Sequence, residues 1–291
     1  MLDHLKSSPS NPPRVVVIGA GGFVGGAILA RLKQRGVSAV GLSRKEADLL
    51  IDDGAARLAD QLQPSDSVVF VSAIAPARNT QHLIQNLRMA EAACGAMARK
   101  PPGHLIYISS DAVYADNANP VTEWSACQPS SMHGMMHLAR EMIFKTAVPA
   151  PFAILRPTLI YGAGDPHNGY GPNRFRRQAA KGEDIGLFGE GEERRDHVFI
   201  DDVAEIVVLA LVHGSRGILN VATGVSTSFR EVAEMAGAVA GSSARIKGSP
   251  RQNPITHRHF DVAGGLKSFP NFHYTPLREG MERALRDEAA R

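Results

Sequence analysis

The 291 residues, 44% of them apolar and 21% charged, have the composition of a globular protein large enough for one extensive unit and a smaller appended lobe. A net charge of +3, spread without a lysine or arginine run, argues against nucleic-acid and membrane-surface partners and suits a small anionic ligand. The two cysteines, Cys94 and Cys127, make neither a disulfide framework nor a metal-type pair, which points to a reducing, cytoplasmic setting.

Residues 1–12 are rich in serine and proline and lack the apolar run of a signal peptide or membrane span, so a flexible tail is expected there. Apolar bursts follow at Val15–Ile18, Val37–Leu42, Ser67–Val71, Leu105–Ile108 and Phe152–Leu155. Each is short and rich in β-branched residues, as strands buried on both faces are. Between them, Phe23–Arg35, Gly54–Gln61 and Asn79–Arg99 carry apolar residues at helical spacing. The alternation predicts an α/β protein with a doubly wound parallel sheet and right-handed crossovers. From Tyr161 onward the pattern loosens, with helical stretches at Val203–Leu211 and Phe229–Val239. The expected division is a sheet domain over 13–160 plus 196–222 and a smaller C-terminal substrate lobe over 161–195 plus 223–291.

The first burst runs straight into Gly19, Gly22 and Gly25, with Phe23 and Val24 opening the helix. Small residues there let the backbone approach a pyrophosphate while the helix N-terminus faces the anion. A strand before and a helix after make this a dinucleotide-binding Rossmann loop rather than a bare glycine turn. At the end of the second burst, where an NAD site places an acid for the ribose hydroxyls, stand Ser43, Arg44 and Lys45. Their charge suits a ribose 2′-phosphate, so NADP is expected ahead of NAD; a plain solvated basic turn is the alternative.

Further segments carry a family likeness: Ile108–Tyr114, Leu155–Pro157 with Ile160–Gly162, Arg195–Ala204 and Asn220–Gly224. In this order they resemble the extended short-chain dehydrogenase/reductase family of NAD-dependent epimerase/dehydratase type, and the likeness covers nearly everything after Pro13. It implies cofactor contacts at Asp48 and Leu49, at Ser72 and Ala73, and at Pro157. It also implies that Ser110 orients a substrate oxygen and that Tyr161 and Arg195 lie on the substrate side, the guanidinium fork facing a phosphate. A nucleotide-linked sugar or similar anionic polyol, and a homodimer, follow from the same likeness. Plainer roles exist for each: a strand-end cap for Ser110, an ion pair for Arg195, and packing or capping for Tyr114, Tyr161, Asp201 and Asp202.

One departure stands out. The family's proton-transferring tyrosine, and the lysine four residues later, fall on His133 and His137, in a register anchored by Pro129, Gly134 and Glu141. Residues four apart share a helix face, so the pair survives as geometry. Histidine, with an ordinary pKa of about 6.5, can give or take a proton unaided. His133 therefore replaces the tyrosine and His137 the ribose contact, and at least one ring is expected to stay neutral beside an oxidised nicotinamide. Rival readings are an inert pair, a metal half-site lacking a third ligand, and the remnant of an active site. Two functions follow. One is an NADP-dependent oxidoreductase, epimerase or dehydratase, tilted toward a reductase. The other is a non-catalytic NADP(H)-binding sensor or scaffold. Met132, Met135 and Met136 fit a dimer face or core filling equally well.

Overall fold

The computed structural model of the chain describes residues 1–251 and 254–290; Gln252, Asn253 and Arg291 of the expected substrate lobe lie outside them. In chain order the elements are β1 (Leu2–His4), β2 (Val15–Ile18), α1 (Phe23–Gln34), β3 (Ala39–Leu42), α2 (Gly54–Gln61), β4 (Ser67–Phe70), α3 (Thr80–Arg99), β5 (His104–Ile108), α4 (Met132–Ala147) and β6 (Phe152–Pro157). They continue as β7 (Leu159–Tyr161), α5 (Pro172–Ala180), β8 (Ile185–Phe188), β9 (Arg194–Phe199), α6 (Ile200–Val212), β10 (Ser215–Val221), β11 (Ser226–Ser228), α7 (Phe229–Ala240), β12 (Ile246–Ser249), α8 (Ala263–Ser268) and α9 (Leu277–Ala289).

Seven strands form the main sheet in the order β1-β10-β6-β5-β4-β2-β3, all parallel except β1. Val15–Ile18 is buried throughout because α1 and α6 cover one face and α2, α3 and α4 the other, so its residues feed two separate cores. The chain steps from β2 to β3 on one side and then returns to place β4 on the other. The resulting switch point, beyond the carboxyl ends of β2 and β4, is where such sheets bind ligands.

The N-terminus is a correction. Leu2–His4, expected within a flexible tail, adds antiparallel to β10, with Leu2 opposite Gly217 and His4 opposite Ser215. His4 anchors it: Nδ1 lies 2.8 Å from Ser215 Oγ, Nε2 lies 2.9 Å from the Ser268 carbonyl oxygen, and the ring stacks on His213 at 4.5 Å. A three-residue strand carries no readable period, and its pairing satisfies an edge that β10 would otherwise leave open.

Beyond the sheet, β11-β9-β7 and the parallel pair β12-β8 build the smaller half, with α5, α7 and α9 around Phe175, Leu187, Phe229, Val232 and Met281. α7 begins in a capping box, Ser228 with Glu231, and ends at Gly241 with φ +60°.

Candidate functional site

The glycine loop at the switch point has the shape of a phosphate cradle. A Cβ on Gly19 would come within 2.6 Å of the Ser72 amide nitrogen, and one on Gly25 within 2.2 Å of the Gly19 carbonyl oxygen. Bare glycine is thus what lets β4, the loop and α1 approach so closely. Gly22 caps α1 with no side-chain hydrogen bond, which leaves the first-turn amides beginning at Phe23 and Val24 open to an anion. These features fit the pyrophosphate of a dinucleotide. Gly25→Ala pushes a methyl group into the Gly19 carbonyl, a strain of about 1–3 kcal/mol that should weaken NADPH binding roughly tenfold. Unchanged affinity in a fluorescence titration would remove the loop from the binding site.

After β3, Arg44 and Lys45 are exposed, and Ser43 lies against Gly21 of the loop. Glu46 folds back to accept from the Ser43 amide at 2.7 Å and the Ser43 hydroxyl at 2.6 Å, and these bonds lower its pKa. Asp48 caps the Leu50 amide at 3.0 Å, and Leu49 is buried core. Ser72 is half-buried and Ala73 exposed at the end of β4, and Pro157 is buried at the end of β6.

The histidine pair sits on α4, whose N-cap Ser131 accepts from the Gly134 amide at 3.1 Å. Gly134 packs directly on the turn after Ser110: a Cβ there would lie 2.0 Å from the Ala112 carbonyl oxygen. That contact brings the start of α4, with His133, against the strand end that bears Ser110. The rings of His133 and His137 meet edge to face, centroids 4.6 Å apart. Burial lowers the pKa of His133, with smaller contributions from His167 and Arg140. Burial, then His133 and Arg140, holds His137 well below the ordinary value. Both rings are therefore neutral at neutral pH. His137 Nδ1 lies 2.7 Å from the Tyr107 hydroxyl, whereas His133 Nδ1 is buried without a partner.

Behind the pair lies a buried polar network that the sequence showed only as motif fragments. Glu141 accepts from the Ser109 hydroxyl at 2.5 Å and takes a bidentate pair of bonds from Arg156 at 2.9 and 2.6 Å. Arg156 also donates to the Tyr114 hydroxyl at 2.9 Å, which donates to Asn220 Oδ1 at 2.6 Å. The segment just after β5, together with α4, β6 and β10, is tied into one unit by these bonds. Tyr107 and Arg140, which touch this region directly, escaped sequence reasoning. The one available signal was a charged residue among the apolar positions of α4.

On the substrate side the expectations divide. Ser110 caps the short turn Asp111–Val113, its hydroxyl accepting from the Ala112 amide at 3.2 Å. Tyr161, expected near substrate, is instead core: it is 1% exposed, its hydroxyl points at the Leu277 carbonyl 3.4 Å away, and Gly280 packs against it. Its position at the end of β7 turns the ring under α9. Arg195 is half-buried and turned onto Thr256, donating to its hydroxyl at 2.8 Å and to its carbonyl oxygen. Asp196 is spent structurally on Thr158, Thr223 and Gly224, and Asp202 on Thr275. Among the described residues no three His, Cys, Asp or Glu side chains gather to hold a metal ion, and no helix is long and apolar enough to cross a membrane.

The profile of the NAD dependent epimerase/dehydratase family matches residues 15–222, from β2 to the end of β10. The chain belongs to that family. A UDP-glucose 4-epimerase of Mycolicibacterium smegmatis is 28% identical over 284 residues, covering 85% of this chain and 90% of that protein. A dTDP-4-dehydro-6-deoxy-D-allose reductase of Streptomyces bikiniensis is 31% identical over 140 residues, covering 46% of this chain and 42% of its own. Among solved structures, a GDP-L-fucose synthetase from Naegleria fowleri bound to NADP superposes with a TM-score of 0.86 at 16% identity, over 98% of this chain and 96% of that one. The UDP-glucose 4-epimerase of Thermotoga maritima with UDP-glucose gives 0.83 at 19%, over 94% and 97%. At these identities the two structures speak for the fold, and the family assignment rests on the profile.

Proposed function

We propose that this protein is an NADP(H)-dependent enzyme that moves hydride between nicotinamide and a carbon of a nucleotide-linked sugar or similar anionic polyol. His133 handles the proton, Ser110 orients the substrate oxygen, and His137 meets the nicotinamide ribose. The packing of Gly134 on the Ala112 carbonyl carries this reading, because it brings the Ser110 turn and the start of α4, with His133, together. When bound, the nicotinamide supplies or accepts the hydride; the chain's own share is to orient, to exclude water and to hold the proton. Arg195, with Thr256 as its resting partner, would meet a substrate phosphate. Relatives that act on UDP-glucose and on a dTDP-linked deoxysugar favour a nucleotide-linked substrate.

The exposed Arg44 and Lys45 favour NADP, and with it a reductase that exchanges its cofactor. Arg44→Ala is expected to raise the Kd for NADPH about tenfold and leave that for NADH unchanged, since only the former gains a charge-assisted bond. Equal effects on both, or a wild-type preference for NADH, would reassign the cofactor to NAD.

The replacement of the family's tyrosine and lysine by His133 and His137 favours a second reading, a non-catalytic NADP(H) sensor or scaffold. Single-turnover assays over sugar nucleotides, ketones and lactols separate the two; tight NADPH binding with no hydride transfer to any of them selects the sensor.

A homodimer through α3 and α4 accounts for exposed Ile84, Met132, Met135 and Met142; Met136 belongs to the core. Ile84→Glu with Met135→Glu should then turn a dimer into a monomer in sedimentation, and a monomeric wild type would refute it. The free thiols Cys94 and Cys127 fit a cytoplasmic setting.

A further inference from the structure

The lysine that the family places at position 137 brings both a hydrogen-bond donor and a charge, and here the two are separated. The charge lies one turn further along α4. Arg140 is fully buried, donates to the Ser72 carbonyl oxygen at 2.5 Å and to Asn86 Oδ1 at 3.2 Å, and has no carboxylate partner among the described residues. Its guanidinium lies over the rings of Phe70 and Tyr107, 4.8 and 5.2 Å from their centroids. Tyr107, fully buried on β5, places its hydroxyl 2.7 Å from His137 Nδ1, its one hydrogen bond among the described residues.

That geometry decides which atom carries the proton. Were Nδ1 protonated, it would donate to the phenolic oxygen and strand the phenol hydrogen in a buried site with no acceptor, a costly arrangement. With Nδ1 bare, the phenol donates, both groups are satisfied, and the imidazole proton resides on Nε2. Burial keeps the phenol protonated, since it pushes the Tyr107 pKa up despite the nearby Arg140. The guanidinium over the ring face strengthens the phenol as a donor.

We infer that Tyr107 is a positioning residue: it locks His137 as the Nε2–H tautomer, so that a neutral, permanent donor faces the ribose diol of the nicotinamide half. This rests on the placement of His137 beside the ribose proposed above. His137 thereby holds the cofactor without titrating, and proton exchange with substrate is left to His133.

The test uses the full-length protein with nitrogen-15 in its histidines. Long-range proton–nitrogen spectra, assigned through His137→Gln, should show His137 protonated at Nε2 and bare at Nδ1 throughout the neutral range. Tyr107→Phe, which keeps the ring, should lose this single-tautomer signature. The same variant should weaken NADPH binding about fivefold, as loss of one hydrogen bond does. In a His137→Ala background it should cost nothing further, because the two residues act as one unit. A wild-type Nδ1–H tautomer, an unchanged His137 spectrum in Tyr107→Phe, or additive binding losses would each overturn the assignment. Failure of the wild type to bind NADPH or NADH would instead strike the proposed function, and the wild-type spectrum would still decide the role of Tyr107.

Discussion

Replacing His133 by phenylalanine should lower kcat by about 10²- to 10⁴-fold while the Kd for NADPH stays within roughly twofold. The aromatic volume is kept, so the edge-to-face contact with His137 survives and only the proton is lost. Stopped-flow hydride transfer and an equilibrium titration read the two quantities separately. Turnover within about threefold of wild type would refute the assignment, because positioned acid–base groups contribute far more than that. The pH profile gives a second readout. Burial places the His133 pKa below the ordinary value of about 6.5, so the base is present throughout the neutral range. In the oxidative direction kcat/KM should therefore be flat from alkaline pH down past about 6.5 and fall only below it. Stability follows the same sign. Folded pKa values depressed at His133 and His137 mean that the unfolded chain binds protons first, so stability present above about pH 6.5 is lost as the pH falls.

Glu141→Ala should destabilise the fold by about 3–5 kcal/mol and lower Tm by roughly 10 °C or more. The reason is what it leaves behind. Arg156 is 3% exposed and its guanidinium is neutralised by Glu141, so truncation strands a buried charge and also removes the acceptor of the Ser109 hydroxyl. Burial alone would lower the Arg156 pKa; its two bonds to Glu141 and the charge of that carboxylate outweigh the burial and raise it. Removing both partners, as Glu141→Met with Arg156→Leu, should cost distinctly less, since the pair's own desolvation vanishes with it. Urea unfolding of the single and double variants makes the comparison. A single-variant loss below about 1 kcal/mol would show that water reaches the pair and that the network does not hold α4 against the sheet.

The alternation of short apolar bursts with helical stretches was enough to read the parallel sheet, because Val15–Ile18 and Leu105–Ile108 are buried on both faces and carry no polar interruption. Gly19 and Gly25 declared the loop for a similar reason: close backbone approach at these two positions excludes every other side chain, so the requirement is written in residue type. The spacing of His133 and His137 likewise put them on one helical face. β10 was less legible, since Ser215–Gly217 opens it without apolar residues, and β1 was invisible because a three-residue edge strand is held by partners more than 200 residues away. The same holds around the site. Tyr107 is one more aromatic in a strand and Arg140 one more charge in a helix until β5 and α4 pack together. Tyr161 looked like a substrate residue until α9 closed over it. The sequence by itself determined the sheet, the phosphate loop and the paired histidines, whose constraints are local in backbone and spacing. Only the tertiary structure decided the burial that keeps both rings neutral and the contact of His137 with Tyr107, because α4 and β5 meet across a chain separation that carries no local pattern.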